Sequence, residues 1–400
     1  MKVLLINKFY YMRGGAETVF FNQKKMLEEQ GHKVIVFSMK HPENSSSEYE
    51  KYFVENVEFA QGEGVFREIK KMFHALYSFE AKKKLQKIIA DTKPDIIHVH
   101  NYTYHLSNSI LSVLRRVPVP VVITLHDFSL ISPTHRVTKG GILEKCINKQ
   151  YYKCFTERWI RHSYAQSFVG MIVAYAQMFF RVHERTFDAA IAPSMFLKKQ
   201  YERAHFPVPI THIFNSVDLE HLPKEKNNRH GAVFVGWFTK EKGMHTLLEA
   251  ARLLPKIRFR LIGEGPLVPI SKEHKKEGRT GENVQDTEVS QNVEVLGRLP
   301  NKQVLEVIAS SQVLVLPSTI AENNPLVLLE ALALGTPVVG TNIGGIPELV
   351  HECGELVPVE DPQALKNALE KIISRPDIAK LYGQNGRNFA KTHLSHQTYC

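Results

Sequence analysis

Cysteine is scarce in this chain of 400 residues, which contains only Cys146, Cys154, Cys353 and Cys400. Four cysteines are too few for a disulfide-held scaffold, and their spacing matches none of the common zinc-binding patterns. We therefore expect free thiols, a cytoplasmic location and no bound metal.

Long apolar runs are also missing. The most apolar stretch after the N-terminus, Phe168–Phe180, has 13 residues, whereas a helix needs about 20 to cross a bilayer. The N-terminal run Val3–Ile6 is too short for a signal peptide, and no small-residue cleavage site follows it. The sequence therefore predicts a first β-strand at the N-terminus and no membrane-spanning helix.

Acidic residues are outnumbered, because 41 Asp and Glu face 51 Lys and Arg, for a formal charge of +10 and a pI near 9.2. Nearly all of the excess lies in residues 1–222, with 30 basic and 21 acidic residues, against 21 and 20 in residues 223–400. The basic clusters are Arg67, Lys70, Lys71, Lys82, Lys83, Lys84 and Lys87, and Arg158, Arg161, Arg181 and Arg185. Such a face suits an anionic lipid or a phosphorylated substrate, or it is a solvated helix face. No nucleic acid is expected, because no recognition motif accompanies the charge.

Short β-branched runs alternate with helix-length amphipathic segments, a pattern typical of parallel sheets built from βαβ units. The runs are apolar throughout, which indicates that helices cover both faces of each sheet. The predicted fold class is therefore α/β, with two doubly wound parallel-sheet domains. The predicted strands are 2–6, 33–38, 95–100, 119–125 and 189–194, then 231–236, 258–263, 292–297, 312–318 and 337–341; predicted helices include 16–30, 66–91 and 106–116.

The polar stretch 221–230 interrupts both patterns and predicts a linker. The predicted domains are residues 1–220 and 221–375, and we expect a C-terminal helix in 376–400 to pack back toward the first domain. Open α/β sheets bind ligands at the carboxyl ends of their strands, so we expect the function in turns facing a cleft between the domains. The polar segment 264–291 is predicted to be a mobile surface loop.

Several strand-to-helix turns carry residues that a core does not require. Gly14 and Gly15 open a helix after the first strand, where their amides could approach an anion, although a tight turn alone explains them. His126 ends a central strand, either as an active group or as a hydrogen-bonded histidine at the core edge. Lys242 precedes an apolar helix, and a lysine there opposes the helix dipole unless an anion is bound, which favours a phosphate site.

The strongest signal lies in residues 318–339. Pro325 suits the first turn of a helix, and residues 322–324 form the turn that presents the free backbone N–H groups of that helix. Glu330 lies about a turn into this apolar helix, where a carboxylate is unfavourable without a polar partner. A pair of sugar hydroxyls would provide one.

Taken together and in order, these residues resemble the retaining glycosyltransferases of family GT4, whose GT-B fold has two Rossmann-like domains facing a central cleft. The resemblance covers nearly the whole chain. The matching motifs are GGAE at 14–17, LHD at 125–127, IAPS at 191–194, FNSVD at 214–218, FVGWFTKEKG at 234–243, LIGEGP at 261–266 and the E-x7-E pair Glu322 and Glu330.

The resemblance implies transfer of a hexose from a UDP-, GDP- or ADP-sugar donor to an acceptor hydroxyl, in the synthesis of cell-surface polysaccharide or glycolipid. It implies catalytic roles for His126 beside the reacting sugar, Glu322 on the sugar hydroxyls and Lys242 on the diphosphate. The implied donor-binding residues are Gly14 and Gly15 at the diphosphate, Asn323, Asn324, Pro325 and Leu326 at the sugar and phosphate, and Glu330 at the ribose. No Asp-x-Asp pair occurs, which fits a metal-independent reaction without a resident cofactor.

Two positions depart from the family pattern. Trp237 stands where the family usually has an Arg that shares the phosphate charge, and Ser216 stands where Gly is usual. The change at Trp237 leaves open a non-catalytic module that binds a sugar nucleotide. A nucleotide-sugar 2-epimerase, which shares the two-domain cleft, is the other alternative.

The acceptor is expected to be a sugar or a lipid-linked sugar. Segments 155–187 and 66–87 both combine basic residues with apolar and aromatic ones. Either segment lies at an anionic membrane surface, as a protein bound to the inner face would require, or the apolar run 168–180 packs in the core.

Overall fold

The computed structural model describes residues 1–56, 77–103, 105–134, 141–160, 162–226, 228–267 and 290–399. The chain divides into two compact units, Met1–Ile213 and Phe214–Cys400, so the predicted linker 221–230 falls within the second unit. Arg67, Lys70, Lys71 and Arg161 of the basic clusters, and residues 268–289 of the predicted surface loop, lie outside the described residues.

The first unit is built on a parallel sheet of six strands. They are β1 (Lys2–Ile6), β2 (Lys33–Phe37), β3 (Ile96–Val99), β4 (Val121–Thr124), β5 (Ala189–Ala192) and β6 (Ile210–His212). The strand order is β2-β1-β3-β4-β5-β6, with Val3 opposite Val34 on one side and Ile96 on the other. Five of these strands were predicted, and β6 was missed because its three residues follow Pro209 as no distinct apolar run.

Helices connect the strands of this sheet. They are α1 (Gly15–Glu29), α2 (Phe79–Thr92), α3 (Leu111–Leu114), α4 (Ile142–Ile147), α5 (Tyr152–Thr156), α6 (Tyr164–Phe179) and α7 (Met195–Arg203). Serine caps start three of them, as in α7, where Ser194 Oγ accepts from the Leu197 N–H at 3.1 Å. The single helix predicted at 106–116 is wrong. Ser107 adopts a positive φ of 57° and starts a short 3-10 turn (Asn108–Ile110) ahead of α3.

The second unit repeats this plan with another six-stranded parallel sheet. Its strands are β7 (Ala232–Val235), β8 (Phe259–Ile262), β9 (Val293–Gly297), β10 (Val313–Leu316), β11 (Val338–Thr341) and β12 (Gly354–Val357). Its helices are α8 (Met244–Leu253), α9 (Asn301–Ala309), α10 (Leu326–Ala333), α11 (Ile346–Val350), α12 (Pro362–Ser374), α13 (Pro376–His393) and α14 (His396–Tyr399). The strand order is β12-β11-β10-β7-β8-β9.

Both faces of this sheet are covered, as its apolar strands predicted. Val313 and Val315 of β10 belong to one buried cluster, whereas Leu314 and Leu316 belong to another. Because successive side chains of a strand point to opposite faces, each face has its own helical cover. The predicted doubly wound α/β class is therefore confirmed for each unit.

The C-terminal helix α13 packs within the second unit, against α10. Gly383 allows this close approach, because a Cβ atom there would lie 2.6 Å from the carbonyl oxygen of Gly335. Ala390 and Leu394 join the buried cluster beneath α10. The expected contact of this helix with the first unit stays a prediction.

Each sheet contains a point where the strand order reverses. In the first unit the chain leaves β1 for β2 on one side and returns to β3 on the other. In the second unit the corresponding neighbours are β7 and β10. Open α/β sheets bind ligands outside the carboxyl ends of such strand pairs, so the topology alone marks one candidate region in each unit.

Helix α6 contains nearly all of the apolar run 168–180 noted in the sequence. Ser167 is the only residue of this helix that is buried. One face packs on a small cluster that includes Tyr151, Cys154 and Trp159. On the other face Phe168, Ile172 and Phe179 are 48%, 49% and 79% exposed. The run therefore packs only in part, and no helix in the described residues has both the length and the apolar character to span a membrane.

Candidate functional site

Three polar side chains meet at the carboxyl ends of β7 and β10. Lys242 ends a short 3-10 turn (Lys240–Lys242) before α8, whereas Ser318 and Glu322 lie between β10 and α10. Lys242 Nζ lies 2.5 Å from Glu322 Oε1, and Ser318 Oγ donates to the same oxygen at 2.8 Å. The Lys242 and Glu322 side chains are 28% and 15% exposed, so the pair remains accessible to a ligand.

Glu322 resolves the electrostatic conflict that the sequence poses at Lys242. A lysine before the N-terminus of α8 is unfavourable next to the positive end of the helix dipole. The sequence favours a bound phosphate as the compensating anion, whereas in the structure the Glu322 carboxylate compensates the charge. A ligand phosphate at Nζ would therefore share Lys242 with Glu322.

Gly243 holds the lysine turn against the end of β10. Its φ is +75°, in the left-handed region, and a Cβ atom there would lie 1.8 Å from the carbonyl oxygen of Pro317. The Thr319 N–H also donates to the Glu241 carbonyl at 2.9 Å. The backbones on either side of the Lys242–Glu322 pair are thus in direct contact.

We expect Gly243→Ala to lower the free energy of unfolding by about 2–4 kcal/mol, because it adds a backbone clash to an unfavourable φ. Gly297→Ala is the matched control, since Gly297 has a φ of +68° with no atom within 4 Å of its Cβ position. The control should lose only about 1 kcal/mol. Equal losses in denaturant unfolding of the two variants would contradict the packing argument.

The start of α10 lies beside this pair. Pro325 does not lie in the first helical turn as predicted, because its ψ of 117° is extended and α10 begins at Leu326. Asn324 is buried, and its Oδ1 accepts from the Asn215 N–H at 3.1 Å. Its Nδ2 has no hydrogen-bond partner among the described residues. A buried donor without a partner is costly, so this amide is suited to a ligand oxygen.

Glu330 lies one turn into α10, as predicted. Asn301 Nδ2, at the start of α9, donates to Glu330 Oε1 at 3.0 Å. Burial raises the pKa of Glu330 from 4.5 to about 7, and this single hydrogen bond only partly opposes the effect. The carboxylate is therefore held where it gains from a further donor, such as a hydroxyl.

We expect Glu330→Gln to stabilise the ligand-free chain at pH 8 by on the order of 1–3 kcal/mol. The raised pKa means that the native state binds this proton more tightly than the unfolded state, so stability falls as the pH rises from 4.5 to 7. The gain should vanish at about pH 3, where the carboxyl group is protonated in both states. Denaturant unfolding at both pH values checks this, with the exposed Glu352→Gln as control; an equal gain at both pH values would contradict it.

In the first unit, Gly14 and Gly15 lie at the start of α1, as predicted. Gly14 has an extended φ of −168°, which any residue adopts, so its own backbone does not require glycine. The buried Glu17 lies in the same first turn, and burial raises its pKa, while Lys8 at the end of β1 opposes that effect. A carboxyl group therefore already lies at this helix N-terminus, with a cation close by.

His126 follows β4 and contacts the end of β3. Its Nε2 lies 2.9 Å from His100 Nδ1, and desolvation lowers the pKa of His126 to about 4 although the Asp127 charge opposes this shift. His126 lines a cavity together with Asn101, Thr103 and Asp127. The histidine is therefore hydrogen-bonded at the core edge and also borders a cavity, and its role as an active group stays a prediction.

Models of two protein families match the chain and together span nearly all of it. The family described as Glycosyltransferase Family 4 matches residues 13–221, and the one described as Glycosyl transferases group 1 matches residues 220–389. The chain belongs to glycosyltransferase family 4. The family resemblance drawn from the GGAE, LHD and E-x7-E motifs is thereby confirmed.

Two relatives of this family 4 glycosyltransferase are similar along most of their length. An uncharacterized glycosyltransferase of Methanocaldococcus jannaschii is 26% identical over 398 residues, which are 98% of this chain and 93% of that protein. A proposed teichuronic acid biosynthesis glycosyltransferase of Bacillus subtilis is 25% identical, over 77% of this chain and 72% of that one.

Solved structures confirm the GT-B fold type of the transferase. The sucrose-phosphate synthase of Thermosynechococcus elongatus matches with a TM-score of 0.67 at 20% identity, over 99% of this chain and 95% of that one. HepE of Anabaena, solved in complex with UDP and glucose, matches with a TM-score of 0.61 at 18% identity, over 100% and 97% of the two chains.

Trp237, which stands where the family usually has an arginine, lies in the loop after β7. The Gly236 N–H donates to the Ile262 carbonyl at 2.9 Å and the Phe238 N–H to the Glu264 carbonyl at 2.8 Å. Phe238 is fully buried by this packing, whereas Trp237 is 56% exposed. Position 237 of the transferase therefore presents its side chain to solvent, where no packing requirement selects tryptophan.

Sequence reasoning missed several polar residues of the transferase. Ser318 ends a predicted strand, and Asn301 lies on a separate helix, so neither contact could be predicted from spacing. Lys8 lies two residues after the end of β1, as His126 lies two residues after the end of β4, so the same strand-end signal could have identified it. No cluster of three or more His, Cys, Asp or Glu side chains that could hold a metal occurs within the described ranges.

Proposed function

We propose that the chain transfers a hexose from a nucleoside diphosphate sugar to an acceptor hydroxyl, with retention at the anomeric carbon. The observation that carries the proposal is the assembly of Lys242, Ser318 and Glu322 at the strand reversal of the second unit. This is where open α/β sheets bind ligands, and the assembly presents both a cation and a carboxylate. A sugar diphosphate requires that combination, because its phosphates are anionic and its hydroxyls are donors.

The N-terminus of α10 would bind the rest of the donor. The first backbone N–H groups of a helix have no intrahelical acceptor, so the N–H of Leu326 suits a phosphate or sugar oxygen. The amides of Asn323 and Asn324, just before the helix, would contribute to the same site, whereas Pro325 has no N–H and would contact the donor only through its ring. The unpartnered Asn324 Nδ2 adds one side-chain donor to this set. Glu330 would accept hydrogen bonds from the ribose hydroxyls, which supply the donors that its carboxylate lacks.

The demanding step is departure of the nucleoside diphosphate. The bond between the anomeric carbon and the β-phosphate oxygen breaks, and negative charge develops on that phosphate. Lys242 and the helix amides are fixed positive groups, which stabilise such charge without reorganisation. The proposal therefore needs no metal ion. His126 and the amides of Gly14 and Gly15 are the groups of the first unit proposed to contact the sugar and the diphosphate.

Thermal unfolding with UDP, GDP and ADP tests the donor site, because a ligand that binds the native state stabilises it by about 2.7 kcal/mol at 100 times its Kd. We expect one nucleotide to raise the melting temperature in wild type and to do so less in Lys242→Ala. No shift with any of the three, or an equal shift in the variant, would contradict the proposed site.

Trp237→Arg tests the site by an expected gain in nucleoside diphosphate affinity instead of a loss. Arginine binds phosphate through two parallel hydrogen bonds, so restoring the family's usual residue should tighten nucleoside diphosphate binding by about tenfold. Because Trp237 is exposed, the change should leave the melting temperature of the free chain unaltered. Titration calorimetry measures the change in Kd, and unchanged or weaker binding would show that position 237 does not face the phosphates.

We also propose that the acceptor is lipid-linked and that α6 binds the anionic inner face of the membrane, as part of cell-surface polysaccharide or glycolipid synthesis. Phe168, Ile172 and Phe179 are spaced by four and seven residues, which places them on one exposed helical face. Arg158 and Arg185 lie exposed near the two ends of this helix. An apolar face between exposed cations is the pattern of a helix that lies in the membrane interface.

Flotation with vesicles tests this surface. We expect the chain to float with phosphatidylcholine vesicles that contain phosphatidylglycerol at low salt, and to dissociate at high salt. The variant Phe168→Ser with Phe179→Ser should stay unbound, whereas Leu381→Ser removes an equally exposed apolar side chain from the second unit and should still float. Absence of binding at low salt would contradict the membrane proposal.

A further inference from the structure

A continuous chain of four hydrogen bonds runs through the first unit and ends at His126. Thr124 Oγ1 lies 2.7 Å from His98 Nε2, and His98 Nδ1 lies 2.9 Å from Gln23 Nε2. Gln23 Oε1 lies 2.6 Å from His100 Nε2, and His100 Nδ1 lies 2.9 Å from His126 Nε2. Gln23, His98, His100 and Thr124 are all buried. These hydrogen bonds thus link α1, β3 and β4 to His126 through four residues that are not among the groups proposed to contact substrate.

The three histidines that these hydrogen bonds connect are neutral near pH 7. Burial lowers the pKa of His98 to about 3 and that of His100 well below 6.5, and desolvation lowers that of His126 to about 4. A neutral imidazole carries one N–H donor and one acceptor nitrogen. Each ring in the chain therefore has to donate with one nitrogen and accept with the other.

The orientation of the Gln23 carboxamide determines which nitrogen of each ring is the donor and which is the acceptor. Its NH₂ group can only donate, so His98 Nδ1 accepts and His98 Nε2–H donates to Thr124. Its oxygen can only accept, so His100 Nε2 carries the proton and His100 Nδ1 is an acceptor. The remaining bond then requires the His126 Nε2–H to donate to His100. In His126 the proton is on Nε2, and Nδ1 has the lone pair.

We propose that Gln23, His98 and His100 are positioning residues that hold His126 in the Nε2–H tautomer, which makes Nδ1 the acceptor nitrogen of that ring. A role of this nitrogen in the transfer reaction rests on the proposed function, whereas the tautomer does not. A histidine in the wrong tautomer presents a donor where an acceptor is needed, and its partner group then loses its hydrogen bond.

Nitrogen NMR of ¹⁵N-histidine-labelled protein reads the tautomer directly, without substrate. The His126 signals are identified by their loss in His126→Gln. We expect a protonated Nε2 and an unprotonated Nδ1 in wild type. In Gln23→Met the side chain neither donates nor accepts, so His126 should exchange between tautomers and show averaged signals. In Gln23→Glu an oxygen still accepts from His100, so the wild-type pattern at His126 should persist.

A Nδ1–H or doubly protonated His126 in wild type would overturn the proposal, as would a Gln23→Met spectrum unchanged at His126. Ser109→Ala is the control for the loss of a buried polar side chain. Ser109 Oγ donates to the Ser78 carbonyl and takes no part in the hydrogen bonds that connect the histidines. This control should match Gln23→Met in thermal stability while leaving the His126 signals unaltered.

Activity provides a separate readout. With a transferable donor in hand, Gln23→Met should lower kcat/KM about tenfold and Gln23→Glu should recover most of it. The expected tautomers without nucleotide binding would refute the proposed function and leave the positioning role standing. Transfer activity with an unperturbed His126 in Gln23→Met would refute the positioning role alone.

Discussion

Lys242→Ala is expected to lower kcat/KM for the sugar donor by about 10²–10³, the usual loss when one preorganised charge-stabilising group is removed from an active site. Lys242 Nζ is in contact with Glu322 and lies at the strand reversal of the second sheet, where it would neutralise the departing diphosphate. Initial rates of nucleoside diphosphate release, measured with the donor found by thermal shift, test this.

The lysine could instead serve only as the structural counter-ion of Glu322, and a double-variant cycle separates the two roles. Removing Lys242 alone leaves a partly buried carboxylate unpaired, which Glu322→Gln in the same chain would relieve. We expect the double variant to regain thermal stability and none of the lost turnover. Recovery of turnover together with stability would assign Lys242 a purely structural role.

Glu322→Gln is expected to lower turnover about 10²-fold while leaving nucleoside diphosphate affinity unchanged or tighter. The amide binds sugar hydroxyls less strongly than a carboxylate does, because hydrogen bonds to a charged acceptor are stronger. The same change releases Lys242 from its ion pair, which frees its charge for the diphosphate. Opposite directions for turnover and for UDP, GDP or ADP binding are the signature of a residue that contacts the sugar.

Ser318→Ala is the matched control, since Ser318 donates to the same Glu322 oxygen and carries no charge. It should lower turnover by about tenfold at most, because the hydroxyl only helps to hold the carboxylate and carries no charge of its own. If Glu322→Gln weakened nucleotide binding as much as it slowed turnover, its contact would be with the diphosphate or with the fold instead of the sugar.

Apolar runs were sufficient to predict ten of the twelve strands in the described residues, because buried parallel strands are apolar along their whole length. The two that were missed, β6 and β12, are not such runs. Strand β6 has three residues behind Pro209, and β12 carries Glu355 within a four-residue stretch. Both lie at an edge of their sheet and pair with a neighbouring strand on one side only.

The sequence indicated most residues of the candidate site but did not predict which of them are in contact. Lys242 and Glu330 were identified because each is an electrostatic liability in its own helix, and such liabilities are visible in sequence. Their partners Glu322 and Asn301 lie 80 and 29 residues away in the chain. Only the strand order, with β7 beside β10, brings Lys242 to Glu322.

The histidine chain illustrates the same limit. His98 and His100 lie at the end of a predicted strand, yet their partner Gln23 lies 75 residues before the first and 77 before the second, on the inner face of α1. A glutamine on an amphipathic helix gives no signal of its own. Its function becomes visible only when the helix packs over the sheet.

The most direct test of the central claim is the anomeric configuration of the product. The transferase is incubated with the α-linked nucleoside diphosphate sugar that stabilises it and with a hydroxyl acceptor, and proton NMR follows the sugar. The proposed retaining transfer requires an α-linked product, one nucleoside diphosphate released per transfer, and no sugar conversion when the acceptor is omitted. A β-linked product, an epimerised donor formed without acceptor, or tight donor binding without turnover across acceptors would contradict it.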